Sequence, residues 1–417
     1  MSAEAKTRAG DDGERRAPLA GYRVLELCST IAGPACTRLL ADFGAEVIKI
    51  EPPEGDSVRQ IGIPDDGIAL YAASILRNKR AVTIDLKTAR GRELVLQLAA
   101  HCDIVVENFR PGTLERLGLD YEALTRDNPG LVLVRISGYG QSGPRRAQPG
   151  YGAICEAFGG VRHLIGEPGQ PPPRVAVPVI DYLSAAYAAY GAALSLLERQ
   201  KSGRGQVIDC ALYEAAFSML EAAIPSYDRF GYVPNREGSR LPYMAPNNLY
   251  PTRDGGYVLI AANNDATFKR LMTAIGRADS LADSRYATIN SRWANVDALD
   301  AEIGAWTATR DAGDIEAVLE AAAVPCARVY TLADAAADPH YAAREMLLRA
   351  PHPHFGELLQ VGIVPKLSAT PGAVRWSGPE LSADTRAVLA EKLGLSDAEL
   401  DALEAEAVIR SRRKESS

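Results

Sequence analysis

An α/β fold with a parallel sheet wrapped by helices is what this sequence predicts. Three observations carry the prediction: a strand–helix–strand unit over residues 22–51, a second over 81–109, and a further strand candidate at 131–140. Strands and helices that alternate at these lengths belong to parallel sheets whose crossovers are helical.

Taken in order, "YRVLELC" (22–28) is the first strand, "STIAGPA" a loop, "CTRLLADFG" a helix and "AEVIKIE" (45–51) the second strand. "AVTIDL" (81–86), the helix "ARGRELVLQLAAHC" and "DIVVENF" (103–109) repeat the scheme, and "LVLVRISGYG" adds a strand. After residue 206, "VIDCALYEAAFSMLEAAI" reads as strand into helix. The pattern breaks from about 227 to 255, where Pro, Gly, Asn and Tyr are frequent. "YVLIAA" (257–262) opens a second region with its own helices, and the tail from about 345 ends in a helix pair. The expected organisation is a leader over 1–17, a large domain from 18–225 plus 340–417, and a small domain over 226–339.

At 417 residues the chain is long for one core, so two domains are expected. A net charge of -7 argues against a nucleic-acid surface, which needs concentrated Lys and Arg. No apolar run approaches a membrane span, and "MSAEAKTRAGDDGERRAP" has no secretory h-region. Six cysteines, scattered without CxxC pairs or metal-ligand spacing, fit a reducing cytoplasm and give no metal signature.

The first strand–helix–strand unit invites a dinucleotide reading, with Glu51 placed to hold a ribose. The glycine fingerprint is missing: Gly33 is followed by Pro34, which has no N–H for a pyrophosphate. Asp181 is different. It precedes a helix expected from Tyr182 to Leu197, apolar on every face and therefore expected to be buried. An Asp there reads first as an N-cap. A carboxylate at a dry helix N-terminus is also held ionised by the helix dipole, and is a fair nucleophile toward an activated acyl group. Both readings stand on the residues alone. "ENFRPG" (107–112) delivers Asn108, Phe109 and Arg110 at a strand end, with Arg116 on the helix that follows. An aromatic with basic neighbours there could sandwich an adenine and meet phosphates.

Several motifs in fixed order resemble the class III CoA-transferase family, the formyl-CoA and carnitine CoA-transferase group also called CaiB/BaiF. They are "AGPACTRLLADFGAEVIKIEPPEGD", "NKRAVTIDLKTARGRELVLQLAAHCDIVVENFRPGTLERLG", "GYGQSGPRRAQPGY", "IDYLSAAYAAYGAALSLLERQKSGRGQ", "LYPTRDGGYVLIAANNDATFKRL" and "LSATPG", and the resemblance runs from about residue 18 to 408. The resemblance implies a Rossmann-like large domain, a smaller α+β domain and an interlocked, ring-like homodimer with the CoA cleft between subunits. It implies that Asp181 is the nucleophile, acylated in each turnover. No cofactor, ATP or metal is then needed, because CoA thioester is itself a substrate and a carboxylate with a pKa of about 3.9 is already ionised.

By the same resemblance, CoA contacts fall on Ile31, Ala32, Ile84 through Lys87, Asn108, Phe109, Arg110 and Arg116. Pro52 and Pro149 sit where the formyl-CoA branch has basic residues, so either Arg59, Arg145 or Arg146 substitutes or those contacts are absent. The polyglycine loop of that branch is reduced to "REGSRLP" (236–242). Acid specificity is expected in the 227–255 stretch, at Asn263-Asn264-Asp265 and near Tyr151. The family's α-methylacyl-CoA racemases pair the aspartate with a histidine, and the corresponding residue here is Tyr151, thirty positions before Asp181. A phenol with a pKa near 10 is a poor partner for α-proton exchange, which favours transfer. A non-catalytic CoA-binding protein is a third reading, against which the presence of Asp181 weighs.

Overall fold

The computed structural model describes residues 17–412, so the expected leader lies outside the described residues but for its last position. The chain separates into two compact units. One runs to Gly159, takes up Val175–Met219 and resumes at Ala342; the other comprises Gly160–Arg174 and Leu220–Tyr341.

The first unit is built on a mostly parallel sheet of seven strands among the described residues. Six follow the chain: β1 (Arg23–Leu27), β2 (Glu46–Glu51), β3 (Lys79–Ile84), β4 (Ile104–Glu107), β5 (Val132–Ser137) and β6 (Val207–Ala211). Their spatial order is β3-β2-β1-β4-β5-β6, all parallel, with Val24 of β1 opposite Val47 on one side and Ile104 on the other. A short closing strand, Ile409–Arg410, pairs antiparallel with β3 and was not evident in the sequence. The chain therefore grows from β1 toward β3, returns, and grows the other way from β4. Connections leave β1 and β4 in opposite directions, and such a switch point opens a crevice at the carboxyl ends of the strands.

Local sequence explains most of the boundaries. Strand residues such as Val24, Leu25, Val105 and Val134 are fully buried, as in a sheet covered on both faces. Helix α1 (Ala32–Asp42) starts earlier than expected and includes the "AGPA" assigned to a loop. Pro34 is accommodated because the first turn of a helix has no intrahelical acceptor for its missing N–H. A Cβ on Gly33 would lie 2.3 Å from Cys28 Sγ, so glycine lets the start of α1 close on the end of β1. Strand β3 begins at Lys79, two residues before the expected start. Lys79 and Arg80 hid it: Lys79 is buried because its ammonium meets Glu26 at 2.8 Å.

Glu26 of β1 is the hub of a buried ionic cluster. It accepts from Lys49 (2.8 Å), Lys79 (2.8 Å) and the Thr37 hydroxyl (2.5 Å). Burial pushes its carboxyl up, but the two ammoniums outweigh burial and hold it at about 2. Helices α2 (Ala89–Ala100), Thr385–Leu393 and Asp397–Ala405 supply Leu94, Leu98, Leu389 and Leu403 to the apolar core under the sheet.

Two expectations about the helix after Asp181 are corrected. After α3 (Gly152–Phe158), the long helix α4 spans Val179–Ser202. Its N-cap is Pro178 and Asp181 is its third residue, because Val179 and Ile180 are themselves helical. Nor is α4 buried on every face: Ile180, Ala185, Ala188 and Ala192 are buried, whereas Tyr190 is 63 % and Leu197 56 % exposed. Apolar composition on every side did not distinguish the face that packs within the chain from one left uncovered by it.

The second unit holds a three-stranded antiparallel sheet, ordered Cys326–Arg328, Tyr257–Ala261, Asn247–Pro251. Helices Asp265–Ala274, Val296–Thr307 and Ala312–Ala321 pack around Val258, Ile260, Leu271, Ile303 and Leu319. The "REGSRLP" segment is tied down within this unit, Arg236 donating to the His163 carbonyl (3.0 Å) and Arg240 to Asp300 (2.8 Å). No helix among the described residues is long and apolar enough to cross a membrane.

Candidate active site

The crevice predicted by the strand order is present. Loops after β1, β4 and β5 enclose a cavity of about 210 Å³ in the first unit, lined by Ser29–Ala32, Asn108–Pro111, Ile136–Gly138, Gln148–Tyr151, Asp181 and Leu212. The rim is held from beneath. Thr30 adopts a left-handed backbone (φ 67), a strained conformation for a β-branched residue. Its N–H donates to Asp56 Oδ1 at 2.9 Å, and its hydroxyl lies 3.0 Å from that of Ser57. Asp56 in turn pairs with Lys49 at 2.7 Å, and Lys49 also donates to Glu26 and to the Cys28 carbonyl. A continuous chain of charged hydrogen bonds thus runs from the sheet core to the cavity rim.

Asn108 clamps the same loop from the other side. Its Oδ1 accepts from the Ser29 N–H at 2.9 Å and its Nδ2 donates to the Ser29 carbonyl at 2.8 Å. This side chain positions the loop with both ends of its amide. Asn108→Ala is expected to raise KM for acyl-CoA by up to roughly thirtyfold through the loss of two hydrogen bonds of about 1 kcal/mol each, with kcat changed less; steady-state kinetics decide it.

Asp181 reaches the cavity from the first turn of α4, where the helix dipole favours the ionised carboxylate. Its charge is felt nearby. Burial pushes the Cys155 thiol up to about 11, with the Asp181 charge adding to it. Tyr71, 2.8 Å from the Tyr182 hydroxyl, is also raised, chiefly by burial, then by Tyr182 and Asp181. Gly138 and Gly150 touch: a Cβ on Gly138 would lie 2.9 Å from Gly150 Cα, so two cavity-lining segments meet backbone to backbone. Tyr151 caps α3 and is 70 % exposed.

Of the residues expected to contact CoA, the cavity brings together Ile31, Ala32, Asn108, Phe109 and Arg110, with Tyr151 and Asp181. Ile84, Lys87 and Arg116 do not line it. Ile84 is fully buried in the core, Lys87 sits on an exposed turn, and exposed Arg116 donates to Thr113 Oγ1 at 2.8 Å. Arg59 is not available as a phosphate contact, since it is spent on Glu51 (2.6 and 2.7 Å) and the Pro379 carbonyl (3.0 Å). The same pairing occupies Glu51, which disposes of the ribose-binding reading. Arg145 lies 4.9 Å over the Phe158 ring and donates to Gln148, a cavity residue. Ser29, Thr30, Ser137 and Gln148 were missed; Ser29 and Thr30 follow the end of β1 and Ser137 ends β5, a placement that could have flagged them, whereas Gln148, well beyond β5, carries no such signal.

A parallel sheet with a switch-point cavity, an aromatic and an arginine at one strand end and a carboxylate on a helix start make an α/β protein with a ligand site at its strand ends. Residues 19–385 match the model of "CoA-transferase family III", and the chain belongs to that family. It is 44 % identical to the succinyl-CoA–D-citramalate CoA-transferase of Chloroflexus aurantiacus, over 94 % of this chain and 98 % of that protein. It is 38 % identical to the beta subunit of that organism's succinyl-CoA–L-malate CoA-transferase, again over 94 % and 98 %. Among solved structures, a CaiB/BaiF family protein from Brucella suis superposes with a TM-score of 0.81 at 35 % identity, covering 90 % of this chain and all of that one. The chain is a CoA-transferase, moving CoA between an acyl-CoA and a carboxylic acid.

Proposed function

We propose that Asp181 is the nucleophile of this transfer and that succinyl-CoA is the donor, with a small dicarboxylate of the citramalate or malate type as acceptor. The observation that carries the first part is the Asp181 carboxylate in the same cavity as Asn108, Phe109 and Arg110. The relatives' substrates support the second.

An Asp181 oxygen gives its electron pair to the thioester carbonyl carbon, and the C–S bond breaks with the pair leaving on sulfur. This yields a mixed anhydride and CoA thiolate. The thiolate attacks the aspartyl carbonyl and expels the donor acid as its carboxylate. The acceptor carboxylate then attacks the aspartyl thioester, and the returning thiolate takes the acceptor acyl group, restoring Asp181. One thioester is exchanged for another, so neither ATP nor a cofactor is required. Oxyanions formed on the way need hydrogen-bond donors.

The remaining expectations stand as proposals too. Lys87 and Arg116 meet CoA phosphates from outside the cavity, together with Arg145 or Arg146. Two copies form the interlocked homodimer, for which the exposed Tyr187, Tyr190, Leu194 and Leu197 of α4 supply an apolar surface. The six unpaired thiols support a cytoplasmic setting.

The deciding assay pairs succinyl-CoA and acetyl-CoA with a panel of mono- and dicarboxylates. Succinyl-CoA with C4–C5 dicarboxylates is expected to be fastest; equal rates with acetate or formate would refute the substrate assignment. Deuterium wash-in at the α-carbon of a 2-methylacyl-CoA, without CoA exchange, would indicate the racemase instead.

A further inference from the structure

Resting on the reading of Asp181 as the nucleophile, we propose that Gly152 is a positioning residue: by presenting no side chain, it fixes the orientation in which the Asp181 carboxylate enters the cavity. Gly152 is the first residue of α3 and is buried. A Cβ built on it would lie 2.0 Å from Asp181 Oδ2, 2.7 Å from Cγ and 3.2 Å from Oδ1. Contacts under 3.0 Å are not tolerated, so the carboxylate occupies the space that any other residue would fill.

The backbone does not ask for glycine here. Gly152 is absent from the glycines with positive φ, and it starts a regular helix, where alanine is the better residue. What glycine supplies is room, and the group that uses the room is Asp181. The obstructed atoms belong to the end of a short side chain with two rotatable bonds. A methyl group at 152 would therefore be relieved by swinging the carboxylate rather than by parting the helices. The cost falls on the reaction geometry, where a displacement of about 1 Å can cost on the order of a hundredfold. The CoA-contacting side of the cavity, Asn108 to Arg110, belongs to another loop and is untouched.

The test compares Gly152→Ala, Asp181→Ala and the double variant with wild type, measuring kcat, the dissociation constant for CoA and Tm. Gly152→Ala is expected to lower kcat about a hundredfold, to leave CoA affinity within about twofold of wild type and to keep a wild-type Tm or a higher one. Full kcat in this variant overturns the proposal, and so does a parallel loss of CoA affinity and Tm, which would mark a general packing role. Should Gly152→Ala fail to fold, the double variant decides: recovery of folding once the carboxylate is removed supports the contact, and continued failure refutes it. The nucleophile reading has its own outcome. Exchange retained by Asp181→Ala sinks that reading, whereas a dead Asp181→Ala beside a fully active Gly152→Ala sinks only the role of Gly152.

Discussion

Asp181→Ala is expected to lose CoA exchange by at least about a thousandfold in kcat, the scale on which removal of a covalent nucleophile is felt, while binding CoA as the wild type does. The reason for the split is spatial. Asn108 holds the first loop through Ser29, and Phe109 and Arg110 leave the end of β4, so these residues are carried by elements other than α4. Asp181→Asn is the sharper variant, because the amide keeps the size of the carboxylate beside Gly152 but is a far poorer nucleophile. Exchange kinetics, calorimetric CoA titration, and hydroxylamine trapping during turnover read the three parts separately. Wild-type exchange in the asparagine variant, or a turnover-dependent label at a residue other than 181, would dismiss the covalent role.

The strands of the parallel sheet were legible because their apolar runs stand between helices with ordinary spacing. Asn108, Phe109 and Arg110 were legible for a related reason: side chains just beyond strand ends are where such sheets bind ligands. What escaped depends on long-range contacts. Lys79 looked like a poor strand residue until Glu26, far away in sequence, is seen to neutralise it. Gly152 was not singled out, since no local pattern reveals that a carboxylate 29 positions later (181 − 152) occupies its missing side chain. Arg59 looked available for phosphate because no local pattern shows that the buried Glu51 carboxylate takes up its guanidinium. The exposed side of α4 was misread because composition counts apolar residues without saying what covers them.

Glu26→Gln is expected to cost about 3–5 kcal/mol of stability, the usual penalty for removing one partner of a buried ion pair. Two buried ammoniums, Lys49 and Lys79, would lose the charge they share, and only Lys49 retains another carboxylate, Asp56 at 2.7 Å. The pH dependence gives an independent check. The folded carboxyl is held at about 2 against an ordinary 4.5, so its stabilisation is complete above 4.5 and is lost as pH falls toward 2. Urea unfolding of the wild type should therefore show stability declining through that window, and Glu26→Gln should show a shallower decline from a lower plateau. A double variant, Glu26→Gln with Lys79→Met, restores the charge balance and should recover much of the loss; if it is no better than the single variant, charge is not the cause. The same cluster reaches function through Lys49, which donates to the Cys28 carbonyl and grips Asp56, and through Asp56, which holds the strained Thr30 at the cavity rim. Folded Glu26→Gln protein, assayed well below its melting temperature, is thus expected to bind CoA more weakly than wild type, because loosening the cluster beneath the rim releases the loop that forms it.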